Sequence, residues 1–207
     1  MRQNGSPLNS IAEFRIGFLT LNNSETLAKA TAELAMVCLA ANTALGNADQ
    51  AFRIDLHGDL GSGKTTFARF FLAACGVTGR IKSPSFSVLE SYAVDGLALH
   101  HLDFYRQSDP TAWQAGGLRD VLLEPAIVLV EWPEHAVGLP PPQIELWLSW
   151  AIEGQGDSAR QALIQIHCAN EIAMDPARRA AFLHWQEIVS ALAGQADVRD
   201  PQATDPE

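Results

Sequence analysis

The residues most able to do chemistry stand together at Gly58-Asp59-Leu60-Gly61-Ser62-Gly63-Lys64-Thr65-Thr66. They fit the pattern G-x-x-x-x-G-K-[ST] without a mismatch. Glycines at these spacings let successive backbone N–H groups turn inward and cradle phosphate oxygens. A lysine at position 64 reaches the β- and γ-phosphates, and the Thr65 hydroxyl is set on Mg²⁺. A helix starting here points its positive end at the same phosphates. Such a site also needs a carboxylate for the ion, or for its waters, at the end of a neighbouring buried strand. Two residues qualify. Asp103 closes the run Leu97–Leu102, and Glu131 closes Ile127–Val130. Glu131 has the better strand, apolar throughout. Ser83 and Ser85 either add hydroxyls on a loop of the kind that closes on a γ-phosphate in switch proteins or mark an ordinary turn beside Pro84. His100 and His101 are adjacent on a strand and face opposite sides, so they cannot form a two-histidine metal site. One of them reads as a core histidine or one that supports the site. Trp132 follows Glu131, as a cover over the site or as ordinary packing.

The elements that must position these groups are legible around them. Phe52–His57 alternates and is strand-like, Lys64–Cys75 is a helix with Phe67, Phe70, Phe71 and Ala74 on one side, and Gly76 stops it. Strand, glycine-rich loop and helix therefore come in the order the chemistry requires. Upstream, Phe14–Phe18 reads as a first strand. Leu27, Thr31, Leu34, Cys38, Ala41 and Leu45 mark a core-facing helix ended by Gly46. Downstream, Ser87–Tyr92 and Leu97–Asp103 flank the turn signal Asp95-Gly96 and predict a hairpin beside the site. A short helix is expected over Pro110–Gln114, broken by Gly116-Gly117. Ile144–Trp150 and Ala162–Cys168 alternate around Gly154–Asp157 and predict a second hairpin. Asp175-Pro176 starts a last helix, which Gly194 stops. The expected organisation is a loose N-terminus over 1–13, one α/β domain over 14–169, a helical appendage over 170–194, and an acidic, disordered tail over 195–207.

Composition bounds the function. The 207 residues are 47% hydrophobic and 18% charged, so the chain can bury a proper core. A net charge of −10 argues against an autonomous nucleic-acid binder, while leaving work on nucleic acid through a basic partner open. The three cysteines, Cys38, Cys75 and Cys168, have no metal or redox-motif spacing and read as buried thiols in a reducing cytosol. No run reaches membrane-spanning length, and no apolar leader opens the chain. The expectation is a cytoplasmic protein with no membrane or DNA partner.

The order of motifs carries a resemblance. The loop at 58–66 is followed by Ser83-Pro84-Ser85-Phe86, then His100-His101-Leu102-Asp103-Phe104-Tyr105-Arg106, Gly117-Leu118, and Leu129-Val130-Glu131-Trp132-Pro133-Glu134. Over about residues 14 to 168 this resembles the TsaE (YjeE) family of bacterial P-loop ATPases. The loop alone would be generic; with H-x-D-x-Y-R and E-W-P it is highly specific. The resemblance implies a three-layer P-loop NTPase fold, with a mixed, mainly parallel sheet and hairpins at its edge. It implies a weak, Mg²⁺-dependent ATPase that acts with the TsaD–TsaB transferase pair. That assembly makes threonylcarbamoyladenosine beside the anticodon of tRNAs, and tRNA is met only through the complex. It further implies that Lys64 and Thr65 hold phosphate and ion, and that Asp103 and Glu131 are functional acids, with Glu131 as Mg²⁺ ligand. Trp132 would lie beside the nucleotide and Asn23 by the adenine. Ser85 stands where the family usually has threonine, which keeps the hydroxyl but loosens its rotamer. The helix after about 170 lies outside the family core.

Rival readings share the loop. A small-molecule kinase on the same fold would want an arginine-rich lid, yet the only adjacent arginine pair, Arg178-Arg179, sits in the appendage. A regulatory GTPase would want an N-K-x-D-type motif, and the chain has none. A scaffold using ATP as a structural ligand is the non-enzymatic alternative.

Overall fold

The computed structural model describes residues 12–21, 24–44, 51–115, 117–150 and 160–168. Seven strands form one sheet: β1 (Ala12–Leu21), β2 (Phe52–His57), β3 (Leu89–Val94), β4 (Leu97–Asp103), β5 (Ala126–Glu131), β6 (Ile144–Trp150) and β7 (Arg160–Cys168). Their order across the sheet is β1-β7-β6-β2-β5-β4-β3. The four central strands β6, β2, β5 and β4 are parallel neighbours, and the outer pairs are antiparallel. Five of the seven thus run the same way, since β1 is antiparallel to a strand that is itself antiparallel to β6. A parallel centre needs cover on both faces, which matches the uninterrupted burial of β5.

Both expected hairpins form, as β3–β4 and β6–β7. The first turns at Asp95 and Gly96, both at positive φ (51° and 84°), as a two-residue hairpin loop requires. The second turn, at 154–157, lies outside the described residues. One boundary moves. The first strand begins at Ala12, inside the stretch expected to be loose, because its backbone continues the ladder along β7 down to the Ala12–Cys168 pair. The appendage at 170–194 and the tail at 195–207 lie outside the described residues.

Helices α1 (Ser24–Ala44) and α2 (Lys64–Ala74) cover one face of the sheet. Leu27, Leu34 and Cys38 of α1, with Phe67 and Phe71 of α2, pack on Phe52, Ile54 and Leu56 of β2. Thr31, on the same stripe, is buried because its hydroxyl donates back to the Leu27 carbonyl at 2.7 Å. Ala41, Leu45 and Gly46 lie beyond the residues whose packing is described. The other face is covered by shorter pieces: a 3₁₀ turn at Ala112–Gln114, α3 (Leu118–Val121) and a 3₁₀ turn at Pro133–His135. Trp113, Val121 and Ala136 from these pieces pack on Leu102, Val128 and Val130.

The alternation in β2 has a consequence for the site. Phe52, Ile54 and Leu56 face the helices, yet Arg53 and Asp55 on the opposite face are buried too. Residues 132–143 supply much of what surrounds this polar stripe. Arg53 Nε lies 2.9 Å from Asp55 Oδ1, and the guanidinium also donates to the Pro140 carbonyl. His57 stacks on Trp147 with centroids 4.5 Å apart, 3.3 Å from Glu134 and 3.8 Å from Glu145. Asp55, His57 and Glu145 offer ligand atoms within 4.8 Å of one another. Arg53 and His57 nevertheless balance this group as a network of paired charges.

Candidate phosphate and ion site

β2 runs out at His57, and the chain turns through the glycine-rich loop into α2. Gly58, Gly61 and Gly63 all sit at positive φ (126°, 80° and 107°), a region that side-chain-bearing residues avoid. At Gly58 space forbids a side chain as well: a Cβ there would meet the Leu148 carbonyl oxygen at 2.0 Å. Gly63 precedes α2, and no side chain caps that helix. Among the described residues the amides of Lys64, Thr65 and Thr66 therefore have no intrahelical carbonyl and no side-chain cap to meet, and the first helical bond is Phe67 N–H to the Gly63 carbonyl at 2.9 Å. The buried Ser62 hydroxyl likewise has no hydrogen-bond partner among the described residues.

Lys64 folds back over this loop. Its ammonium donates to the Gly58 carbonyl and to the Asp59 carbonyl at 2.9 Å, and it lies 3.8 Å from the centre of the Trp132 ring. Burial lowers the amine from its ordinary range, against the pull of Glu131, Glu134 and Asp103. Among the described residues Lys64 is satisfied by loop carbonyls and an aromatic face, with no carboxylate in ion-pair contact, and an anion entering the loop would meet it.

Strand register delivers the acids. Leu56 of β2 pairs with Glu131 of β5, and Glu131 pairs with Asp103 of β4. Both carboxylates thus stand at the strand ends level with the start of the loop, where ligands of open α/β sheets bind. Both are buried. The Thr65 hydroxyl donates to Glu131 Oε2 at 2.9 Å, and His101 Nε2 lies 2.8 Å from Glu131 Oε1. Asp103 Oδ1 accepts from the Tyr105 backbone N–H at 2.9 Å. Ser85 Oγ lies 2.6 Å from Ser83 Oγ.

These groups share one cavity of about 190 Å³, lined among others by Lys64, Thr65, Ser85, Asp103, Glu131 and Trp132. That is smaller than the roughly 300 Å³ at which whole-ligand sites begin. It fits the phosphate end of a nucleotide and an ion, with the nucleoside outside it. A larger cavity of about 440 Å³, lined by Ala51, Arg53, Trp113 and Arg119, contains none of the loop residues and lies toward the opposite end of β2. Its size does not outweigh the convergence of loop, hydroxyls and acids in the smaller one. Asn23, expected by the adenine, lies outside the described residues.

Trp132 takes a left-handed backbone (φ 58°, ψ 49°) at the end of β5, a conformation that costs a non-glycine residue roughly 1–3 kcal/mol. The turn throws its ring over Lys64 and against Tyr105 and His135, with centroids 4.9 and 5.4 Å away. Two parts of the site carried weak sequence signals. Tyr105 stood inside the H-x-D-x-Y-R motif without a role of its own, and His135 gave no signal beyond being aromatic near a motif. His101 gave one: two residues before Asp103 on one strand, it must share that carboxylate's face. The expected opposition of the two histidines holds, for His100 turns instead to Ser91 and Glu124.

Loop, strand-end acids and parallel centre together define an α/β protein of the P-loop type. A crystal structure of YdiB from Bacillus subtilis superposes on 86% of this chain and 99% of its own with a TM-score of 0.56. At 24% identity that likeness speaks to the fold alone. The chain belongs to the TsaE family, described as threonylcarbamoyl adenosine biosynthesis protein TsaE, whose model matches residues 21–162. Relatives named tRNA threonylcarbamoyladenosine biosynthesis protein TsaE include one from Haemophilus influenzae. It is 39% identical over 93 residues, covering 45% of this chain and 59% of the relative. A second, from Bacillus subtilis, is 35% identical over 108 residues, covering 52% and 65%. The matches thus span less than two thirds of these relatives' own lengths. The family to which the chain belongs is one of tRNA threonylcarbamoyladenosine biosynthesis.

Proposed function

We propose that this chain is a Mg²⁺-dependent ATPase that serves threonylcarbamoylation of the adenosine beside the tRNA anticodon, acting with the TsaD–TsaB transferase. The observation that carries the reading is the 2.9 Å contact between the loop's Thr65 hydroxyl and Glu131 Oε2, beside Lys64. An ion at this point has a hydroxyl and a carboxylate to hold it, which is the donor set Mg²⁺ prefers. Bound there, the ion supplies charge neutralisation and a template for phosphate oxygens.

The chain's own residues do the rest. Backbone amides at 58–66 and the α2 N-terminus hold the phosphates. Lys64 exchanges its loop carbonyls for phosphate oxygens. Asp103, buried and fixed by the Tyr105 amide, presents its carboxylate to the reacting end from the strand beside Glu131. Ser85 brings a hydroxyl from the switch-like loop, and Trp132 excludes water above Lys64. Turnover is slow in the isolated chain and rises when the transferase pair and tRNA are added. A steady-state phosphate-release assay with and without TsaD–TsaB and tRNA tests this. Identical rates in the two mixtures would remove the partner assignment while leaving the nucleotide assignment standing.

A further inference from the structure

We propose that His101 is a positioning residue for the site: its Nε2–H holds Glu131 Oε1, so that Oε2 alone is turned to Thr65 and the ion. The inference rests on the reading of Glu131 as the ion-holding acid.

His101 is completely buried on β4, and Glu131 on β5 is 2% exposed. The two meet at 2.8 Å, Nε2 to Oε1. An ionised carboxylate oxygen and a bare ring nitrogen are both acceptors, so Nε2 carries the hydrogen and donates it. The other nitrogen, Nδ1, is buried without a hydrogen-bond partner among the described residues. The ring therefore has one polar contact, and that contact is Glu131. As a core-filling group it is a poor choice. A buried nitrogen without a partner carries a desolvation cost that a leucine in the same space would not. What the histidine provides and leucine cannot is the N–H behind the acid.

That bond has a geometric consequence. The last torsion of a glutamate side chain is broad and nearly two-fold, so a free carboxylate exchanges its oxygens. With Oε1 held from behind and Oε2 accepting from Thr65, both ends of the carboxylate are fixed. Removing the N–H frees it to rotate and to turn toward the Lys64 ammonium. Partners that orient an ion's ligands typically change affinity or activity about 10–100-fold when lost.

The test compares His101→Leu, which fills the space without a donor, with His101→Gln, whose side-chain amide N–H can reach Glu131 from the same strand position. ATP affinity is measured by calorimetry in the full chain, with Mg²⁺ and with chelator, together with ATP turnover. His101→Leu should keep its chelator-measured affinity within about threefold and lose about 10–100-fold of the Mg²⁺-dependent gain and of turnover. His101→Gln should recover most of both. If His101→Leu does not fold, His101→Asn, too short to reach Glu131, replaces it with the same expectation. Wild-type Mg²⁺ dependence in the donor-less variant overturns the proposal. So does equal impairment in all variants, which is what a packing role gives. Wild-type protein that binds no Mg²⁺-ATP would overturn the nucleotide reading as well, and is thereby distinguished from failure of the His101 step alone.

Discussion

Two short contacts hold Glu131, Thr65 before it and His101 behind it, and Asp103 stands beside it in register; the proposed ion would bind at this carboxylate. Its removal should therefore damage hydrolysis and the Mg²⁺-dependent gain in affinity far more than the loop's own hold on nucleotide. For Glu131→Ala we expect turnover to fall on the order of 10²-fold, while the loop still holds nucleotide. Single-turnover hydrolysis beside equilibrium binding checks this, and unchanged turnover contradicts the ion assignment. Gly58 tests the loop itself. Gly58→Ala places a methyl 2.0 Å from the Leu148 carbonyl at a φ of 126°, and neither backbone can give way cheaply. A loss of at least roughly 2 kcal/mol in urea-melt stability is expected. At this scale the sequence was a good guide where chemistry constrains spacing. Loop glycines, Lys64, Thr65 and both strand-end acids could be picked out because each must stand where it does. Trp132 was harder to read, since its covering position depends on one left-handed backbone turn that no residue type announces.

β2 joins site and scaffold, and half of its logic was hidden in the sequence. Phe52-Arg53-Ile54-Asp55-Leu56-His57 reads as a strand with one wet face. That face is dry because the segment from Trp132 to Gln143 folds over it, a long-range event without a local signature. The charge network it creates is sensitive to pH. Burial would depress His57, but the carboxylates of Glu134 and Glu145, 3.3 and 3.8 Å away, and the charge of Asp55 carry it from 6.5 up to about 9. A group whose folded-state pKa is raised stabilises the fold fully below its unfolded value and loses that contribution as pH rises through its folded value. Thermal stability should fall between pH 6.5 and about 9, and His57→Gln should flatten that slope. A His57→Gln melt profile parallel to wild type across this range would show that the imidazole is not the titrating group. The hairpins, in contrast, were open to sequence reading. Period-two alternation and an Asp-Gly turn are local, and the β3–β4 and β6–β7 ladders follow them.

For the molecule as a whole, the parallel centre was foreseeable from the apolar run of β5. A strand at Phe14–Phe18 was legible, but its extension to Ala12–Leu21 and its pairing with β7 were not, because a strand edge ends where its partner ends. A net charge of −10 leaves little attraction for a polyanion, which accords with the proposal that tRNA is met only through partner subunits. Everything proposed for the chain depends on the loop at 58–66 accepting a triphosphate with its ion. Calorimetric titration of Mg²⁺-ATP into wild-type protein and into folded Lys64→Ala tests that directly. One saturable site is expected in the wild type and none in the variant. Absence of binding in the wild type, or equal binding in the two proteins, would contradict it.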